Sequence, residues 1–157
     1  VSSLRTSTAE IETFLVDNAA SKDVAVGGYD AYEVSFTLKP QFEGKTKVTL
    51  CNACGEKFSL EFDTENMTVL ADRSESGKMT RIKSFVLMPA APLGLCNSSD
   101  GYDVDVFVDK CSVEVFVDGG RIAMTNLVFP SESFDNIVFE STGESEISNM
   151  FIHKIGK

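Results

Sequence analysis

The chain has 157 residues, 43% of them hydrophobic, and its 24 acidic and 14 basic side chains give a net charge of −10. It contains no run of about 18 uninterrupted apolar residues, so the sequence predicts no membrane-spanning helix. A surface this acidic repels phosphate backbones and anionic lipids, which argues against nucleic acid or membrane as a partner. No basic segment followed by an apolar run marks a signal peptide. Because the sequence opens on Val1, we expect a processed chain or a piece of a longer protein.

Short segments in which apolar and polar residues alternate follow one another along the chain, separated by glycine or proline. This period of two is typical of half-buried β-strands. In the last segment Ile147, Phe151, His153 and Ile155 are expected to share one side. In chain order the predicted strands cover residues 10–16, 32–38, 45–50, 58–62, 67–71, 79–88, 104–109, 112–117, 121–129, 135–140 and 147–155.

So many short strands, each with one apolar face, cannot remain a single flat sheet in water. They must close into a barrel or stack as two sheets. The sequence therefore predicts an all-β fold, an antiparallel two-sheet β-sandwich with jelly-roll connections of the concanavalin A-like kind. Residues 9–157 are assigned to this one domain. Residues 1–8 are polar and short of apolar side chains, and are expected to be the end of an interdomain linker.

One hairpin can be predicted in detail, because two strands rich in valine flank Lys110 and Cys111. Folding the chain at this turn brings all of the valines to one face, and a slip of one residue would turn them all over. These valines are Val104, Val106, Val108, Val113, Val115 and Val117. The opposite face then carries Asp105, Phe107, Glu114 and Phe116. Gly119 and Gly120 suit the next tight turn, and the irregular segment 122–129 is expected to be bulged or buried on both faces.

The residues of this hairpin offer one candidate for catalysis. Asp105 and Glu114 are expected to be diagonal neighbours, at a spacing that glycoside hydrolysis could use. They lie beside two phenylalanines on regular strands, however, and nothing in the sequence builds a pocket over them, so a structural role is favoured. His153, the only histidine, lies in an alternating strand near the end of the chain and is also expected to be structural. Asp63, Glu65 and Asn66 are interpreted as a plain turn, since the ordered ligands of a calcium loop are missing. The sequence predicts no catalytic residue and no cofactor.

The four cysteines do not have the spacing of a metal site. Cys51 and Cys54 form one C-x-x-C pair, but Cys96 and Cys111 form no second pair. Buried free thiols are favoured over a disulfide, and the redox compartment stays open. The sequence predicts no metal site.

Carbohydrate binding is the alternative function, because sugar-binding modules are often β-sandwiches. They hold sugars against exposed aromatic rings, usually of Trp or Tyr. This chain has no Trp and three Tyr, and its 12 Phe mostly occupy positions expected to face the core. Tyr29 and Tyr102, each next to Gly and Asp, are the only candidate platforms.

A family pattern runs from Val104 to Pro130. It consists of a strand that ends in Asp109, the sequence S-V-E-V-F at 112–116, a glycine turn at 119–121, and Phe129-Pro130. This segment resembles the C-terminal β-sandwich domain of glycoside hydrolase family 32, which includes invertases, levanases and inulinases. The resemblance extends over residues 9–155 and includes an aspartate–arginine step at Asp72 and Arg73.

The resemblance implies that the chemistry lies elsewhere. In that family a five-bladed β-propeller precedes this domain and carries the catalytic motifs Trp-x-Asn-Asp-Pro-Asn-Gly, Arg-Asp-Pro and Glu-Cys, none of which occurs here. The chain alone is therefore expected to be inactive, an accessory domain that docks on its own propeller and stabilises it. The family's polymeric substrates imply a secreted, periplasmic or cell-surface parent, and some members use this domain to form homodimers. The residues expected to define the fold or the interface are Asp72, Arg73, Asp109, Glu114 and Phe116.

Overall fold

A computed structural model describes residues 5–27, 29–77, 90–95 and 101–155, in which β-strands are the predominant secondary structure. The strands are β1 (Arg5–Ile11), β2 (Phe14–Asp17), β3 (Lys22–Ala25), β4 (Tyr32–Phe42), β5 (Lys45–Cys51), β6 (Lys57–Asp63), β7 (Thr68–Glu75), β8 (Ala90–Pro92), β9 (Tyr102–Asp109), β10 (Ser112–Val117), β11 (Ile122–Leu127), β12 (Asn136–Ser141) and β13 (Glu144–Ile155). One short 3-10 helix spans Leu93–Leu95. No helix in the described part of the chain is long and apolar enough to cross a membrane.

The strands form two antiparallel sheets. The first sheet has the order β1-β13-β4-β9-β10-β11, with β2 also paired to β13. The second sheet has the order β3-β12-β5-β6-β7-β8. Their apolar faces pack together, as shown by the edge-on contact between Phe36 of the first sheet and Phe139 of the second, with ring centroids 5.4 Å apart. The predicted β-sandwich is confirmed.

The valine hairpin is confirmed at the level of individual pairs. Val108 lies opposite Val113, Val106 opposite Val115, and Val104 opposite Val117, and all six are buried. The prediction for the third strand was wrong. β11 alternates regularly between buried and exposed residues and pairs with β10 without a bulge. Asn126 keeps this alternation although it is polar, because its buried amide donates to the Val113 carbonyl at 3.5 Å.

The predicted linker is partly a strand. Residues 5–8 belong to β1 and pair with the end of β13, so the sandwich begins before residue 9. Their polar side chains do not prevent this, because an edge strand needs only backbone hydrogen bonds on its inner side. The predicted strand 79–88 lies outside the described residues, as do residues 1–4. The sequence did not predict the short strands β3 and β8.

A bulge in β13 overturns the expected side for Ile147. The register of β13 against β4 shifts between Ser148 and Phe151, and Asn149 adopts a left-handed conformation with φ of 51°. One extra residue reverses the alternation. Ile147 therefore points into the core, whereas Phe151 and His153 lie on the outer face of the first sheet.

Two connections that cross between the sheets pack against each other at one end of the sandwich. The β4–β5 turn passes Gly44, and the β12–β13 turn passes Gly143. A Cβ atom on Gly143 would lie 2.4 Å from the Glu43 carbonyl oxygen and 2.5 Å from that of Phe42. Just inside this corner the buried Thr46 hydroxyl lies 2.7 Å from that of Ser145. The corner can therefore close only around glycine.

We expect Gly143→Ala to lower the free energy of unfolding by about 2 kcal/mol, because backbone must move to admit the methyl group. Gly94→Ala is the matched control, since nothing lies within 4 Å of its added Cβ. Urea unfolding of both variants measures the difference. Equal stability of the two variants would contradict the close packing of this corner.

Candidate domain interface

The outer face of the first sheet carries the residues of the family pattern. Glu114 pairs with Phe107, and Phe116 pairs with Asp105, across β9 and β10. The Phe107 and Phe116 rings meet edge to face with centroids 5.8 Å apart. All four side chains are half-buried although they point away from the core. The prediction that these four residues share the face opposite to the valines is confirmed.

The arrangement of Asp105 and Glu114 bears on the structural role predicted for this pair. The register places them diagonally on one flat face, with the two phenylalanine rings between and beside them. Neither residue lines any of the three grooves described below. Because hydrolysis needs a substrate held between its two carboxyl groups, this geometry supports the structural interpretation.

The same face continues across β4 and β13 with two buried polar residues. Glu33 is 2% exposed and His153 is 7% exposed, and the two are direct partners in the β4–β13 register. The Thr8 hydroxyl lies 2.9 Å from His153 Nδ1, which ties β1 to this row. The Phe151 ring stacks on the His153 ring with centroids 6.0 Å apart. We call the set of Phe151, His153, Glu33, Phe107, Glu114 and Phe116 the outer-face strip.

An exposed apolar residue extends the strip to the edge of the sheet. Leu127, at the end of β11, is 52% exposed and points to the same side as Glu114. Exposed large apolar side chains on the same sheet face as half-buried aromatic rings are typical of a surface that another protein surface covers. This face is therefore the candidate interface.

Asp72 and Arg73 lie on β7, in the other sheet, and away from the strip. Asp72 Oδ1 accepts a hydrogen bond from the Ser74 backbone nitrogen at 2.9 Å. Arg73 Nη1 donates to the Leu127 carbonyl oxygen at 3.0 Å. This contact joins β7 of the second sheet to the end of β11 in the first sheet. Of the two predicted roles, the geometry of Arg73 supports a fold-defining one.

Asp109 lies beside a polar groove of about 320 Å³ at the end of the sandwich where β9 turns into β10. Its Oδ1 atom accepts from the Lys110 backbone nitrogen at 2.6 Å. Asp30 and Ser133 line the same groove and share a hydrogen bond of 2.9 Å. Among the described residues, no group of three or more His, Cys, Asp or Glu side chains could hold a metal ion.

The prediction of Tyr102 as a sugar platform was wrong. Tyr102 is 1% exposed, because the first residue of β9 points between the sheets. Tyr29 is half-buried and packs against the core, and Lys154 Nζ lies over its ring at 5.2 Å from the centroid. Neither tyrosine offers a bare aromatic face to solvent.

An exposed aromatic residue that sequence reasoning missed is Phe42, which is 68% exposed at the end of β4. It belongs to a groove of about 210 Å³ that also contains Met67 and the edge of Tyr102. The sequence feature that could have indicated the exposure of Phe42 is Pro40, which interrupts the alternation of β4 just before the turn. At that point the pairing with β13 shifts register.

The opposite wall of this groove is a turn organised by Asp63. Its carboxylate accepts hydrogen bonds from the Asn66 side chain at 2.9 Å and from the backbone nitrogens of Glu65 and Asn66. The hydrogen bonds from Asn66 come first among the causes that hold the pKa of Asp63 below its ordinary value. The polar cluster predicted as a plain turn is therefore a tightly bonded one.

For the three cysteines in the described part of the chain, the prediction of free thiols is confirmed, whereas the prediction of burial is wrong for two of them. Cys51, Cys54 and Cys111 are free, and the last two are exposed. Burial raises the pKa of the Cys51 thiol, which makes it a poor nucleophile and a poor metal ligand near neutral pH. Cys96 lies outside the described residues.

Comparison with known proteins decides the family. The family described as "Glycosyl hydrolases family 32 C terminal" matches residues 1–154. This chain belongs to that family. A levanase of Bacillus subtilis is 28% identical over 148 residues, which is 91% of this chain and 22% of the levanase. A fructan beta-fructosidase of Streptococcus mutans is 31% identical over 105 residues, 65% of this chain and 7% of that protein.

Solved structures share the fold of this family 32 C-terminal domain. An exo-inulinase from Aspergillus awamori matches with a TM-score of 0.76 at 22% identity, over 98% of this chain and 29% of the inulinase. A fructofuranosidase from Schwanniomyces occidentalis, complexed with fructose, matches with a TM-score of 0.78 at 18% identity, over 98% and 34% of the two chains. This chain thus spans about a third or less of the length of these relatives.

We expect Arg73→Ala to lower the free energy of unfolding by about 1 kcal/mol, because it removes a hydrogen bond between the two sheets. For a domain of this size the melting temperature should fall by about 2–4 °C. Lys39→Ala, which removes an exposed cation from β4, is the control. Thermal unfolding that is unchanged in both variants would show that the Arg73 contact contributes nothing.

The free energy of unfolding should also fall at acid pH, because Asp63 becomes protonated and its hydrogen bonds weaken. Its lowered pKa means that its hydrogen bonds stabilise the folded state above the ordinary aspartate pKa, about 3.9, and that this contribution is lost as pH falls through the folded value. We expect the drop in melting temperature between pH 7 and pH 3 to be smaller in Asp63→Asn than in the wild type. Asp23→Asn, an exposed aspartate of β3, is the control and should retain the full drop.

Proposed function

We propose that this chain is the non-catalytic C-terminal accessory domain of a fructan-hydrolysing glycoside hydrolase of the β-fructosidase type. In this role it docks on an N-terminal catalytic β-propeller of the same protein and stabilises it. The family match supports the proposal, as does the small share of each relative that the chain covers. The sequence contains none of the three catalytic motifs expected of the propeller.

The outer-face strip is the surface that we assign to this docking. It combines two aromatic contacts, Phe107 with Phe116 and Phe151 with His153. A carboxylate that is 2% exposed, Glu33, lies between them on the side of the sheet that faces away from the core. An already desolvated polar group costs little further desolvation when a partner covers it. Aromatic rings in such a setting contribute most of the contact energy.

The position of β1 supports the same surface. β1 is the edge strand of the first sheet and begins at Arg5, which pairs with Ile155. Thr8 of β1 contacts His153 of the strip at 2.9 Å. A domain that precedes β1 in the chain would be tethered next to this row of side chains, and a short tether gives a high effective concentration for docking.

The alternative function, an independent carbohydrate-binding module, is not favoured, because the match is to the C-terminal domain of a hydrolase family. For the parent protein we propose a secreted, periplasmic or cell-surface location, in keeping with polymeric fructan substrates. Homodimer formation through this domain is part of the same proposal.

Glu114→Ala tests the docking role. In the parent protein we expect it to lower the melting temperature more than it does in the isolated chain, because the interface is lost in addition to local packing. Turnover of levan and inulin at a temperature well below unfolding should remain close to that of the wild type. Scanning calorimetry of both proteins and an assay of reducing sugars provide the measurements.

The matched control is Glu140→Ala, which removes an exposed carboxylate from β12 in the other sheet. Its effect on melting should be the same in the parent and in the isolated chain. If Glu114→Ala greatly lowers turnover and leaves the melting temperature unchanged, the proposed accessory role is contradicted. Hydrolysis of fructan by the isolated chain would do so as well.

A further inference from the structure

A small groove at the end of the sandwich opposite to the start of β1 has the features of a ligand site. Phe42 forms one wall and is 68% exposed, and Met67 forms the other and is 36% exposed. Pro40 and Tyr102, the latter 1% exposed, also line the groove. A concave apolar surface with a few polar groups at its rim is the usual form of a small-molecule site.

The exposure of Phe42 follows from how the chain crosses between the sheets. β4 pairs with β13 up to its last residue, where Phe42 lies opposite Glu144 after a shift in register. The next turn is held by Gly44, whose nitrogen donates to the Thr64 hydroxyl while its carbonyl accepts from that hydroxyl, both at 3.0 Å. The backbone at Phe42 is therefore held in place, at a position from which the side chain does not pack into the core.

The Met67 wall is fixed as well. Met67 has a φ of 55°, a left-handed conformation that is rare for a residue with a side chain. The hydrogen bonds to Asp63 hold the turn before it, and the Met67 carbonyl accepts from the Leu93 nitrogen at 2.9 Å. Because the backbone is held on both sides of the groove, it loses little conformational entropy when a ligand enters.

The chemistry of the rim indicates a neutral polyhydroxylated ligand. Glu43 is exposed and supplies carboxylate oxygens that can accept hydrogen bonds from hydroxyl groups. Gln41 uses its nitrogen on the Lys39 carbonyl at 3.4 Å, which leaves its amide oxygen as an acceptor. The net charge of −10 repels anionic ligands. Sugars present apolar C–H faces to aromatic rings and hydroxyl groups to carboxylates.

We propose that this groove is a weak saccharide-contact site, with the Phe42 ring as its platform and Glu43 and Gln41 as hydrogen-bonding partners. This inference rests on the proposed function, which supplies the class of ligand: β-linked fructose oligomers of the levan or inulin type. The site is distinct from the docking surface. Along β13, Glu144, the partner of Phe42, lies seven positions before Phe151, the first residue of the strip on that strand, which separates the groove from the strip by roughly 23 Å.

The other two grooves lack an exposed aromatic platform. The groove beside Asp109 has Phe134 as its only aromatic residue, and that ring is 1% exposed. A groove of about 460 Å³ between the segment 17–21 and the outer face of the second sheet is lined by charged and small residues, with no aromatic one among them. Of these three grooves, only that of Phe42 joins an open ring to hydrogen-bonding groups.

The proposal is tested by titrating the purified chain with levan and inulin oligosaccharides while following backbone amide shifts by NMR. We expect millimolar binding, with the largest shifts in residues 41–44 and 64–67. Phe42→Ala should weaken it about tenfold, the loss expected for one aromatic contact, whereas Phe42→Trp should retain it. Leu127→Ala, which truncates an exposed apolar side chain on the docking face, is the matched control and should bind as the wild type does. Xylan oligosaccharides serve as the non-fructan control.

Two results would overturn the site: no shifts at millimolar fructan oligosaccharide in a chain that remains folded, or equal affinity of Phe42→Ala and the wild type. The proposed function can fail separately. In the parent protein Phe42→Ala should leave melting unchanged, and Leu127→Ala should lower it. If Phe42→Ala lowers the melting of the parent and leaves saccharide affinity unchanged, the Phe42 groove is a protein interface and the saccharide site is rejected.

Discussion

Mutual burial of two apolar sheet faces is the constraint on which the rest of this structure depends. Aromatic side chains make contacts between the sheets: Phe139 of the second sheet meets Phe14 and Phe36 of the first in edge-to-face pairs at 5.2 and 5.4 Å. The buried Tyr32 hydroxyl donates to the Phe134 carbonyl at 2.7 Å, so even the polar atom inside this layer is satisfied. Every strand must turn one set of alternate residues into this layer. The opposite set is thereby committed to an outer face.

The surfaces proposed for contact follow from this alternation, because it determines which side chains lie on the outer faces. On the first sheet the outer positions hold aromatic and acidic residues together, and their mutual contact removes Glu33 and His153 from water before any partner arrives. A surface of this kind is neither a core nor a solvated face. Because the chain covers about a third or less of the relatives described above, we propose this face as the contact with the rest of the parent protein.

The two ends of the sandwich differ for a topological reason. One end carries the start of β1 and the polar groove beside Asp109. At the other end the chain crosses between the sheets at Gly44 and again at Gly143, and the closeness of these glycines leaves no room for a side chain. Phe42, adjacent to this tight crossing, is held outside the core by geometry and not by polarity. A saccharide contact there would use the part of the domain that is farthest along β13 from the tethered edge.

Period-two alternation in the sequence determined the fold class, the sandwich and the residue-by-residue register of the valine hairpin, because a strand with one buried face has only one register that keeps its apolar side chains dry. It also placed Glu114 and Phe116 on the outer face, since their positions follow from the same alternation. Only the tertiary structure decided what lies where alternation breaks. The bulge at Asn149 places Phe151 and His153 on the outer face. Tyr102 is buried in the core, whereas Phe42 is exposed. Arg73 forms a hydrogen bond that joins the two sheets. These outcomes depend on contacts between residues that are distant in sequence. The alternation of apolar and polar residues within one strand does not indicate which distant residues will pack beside it.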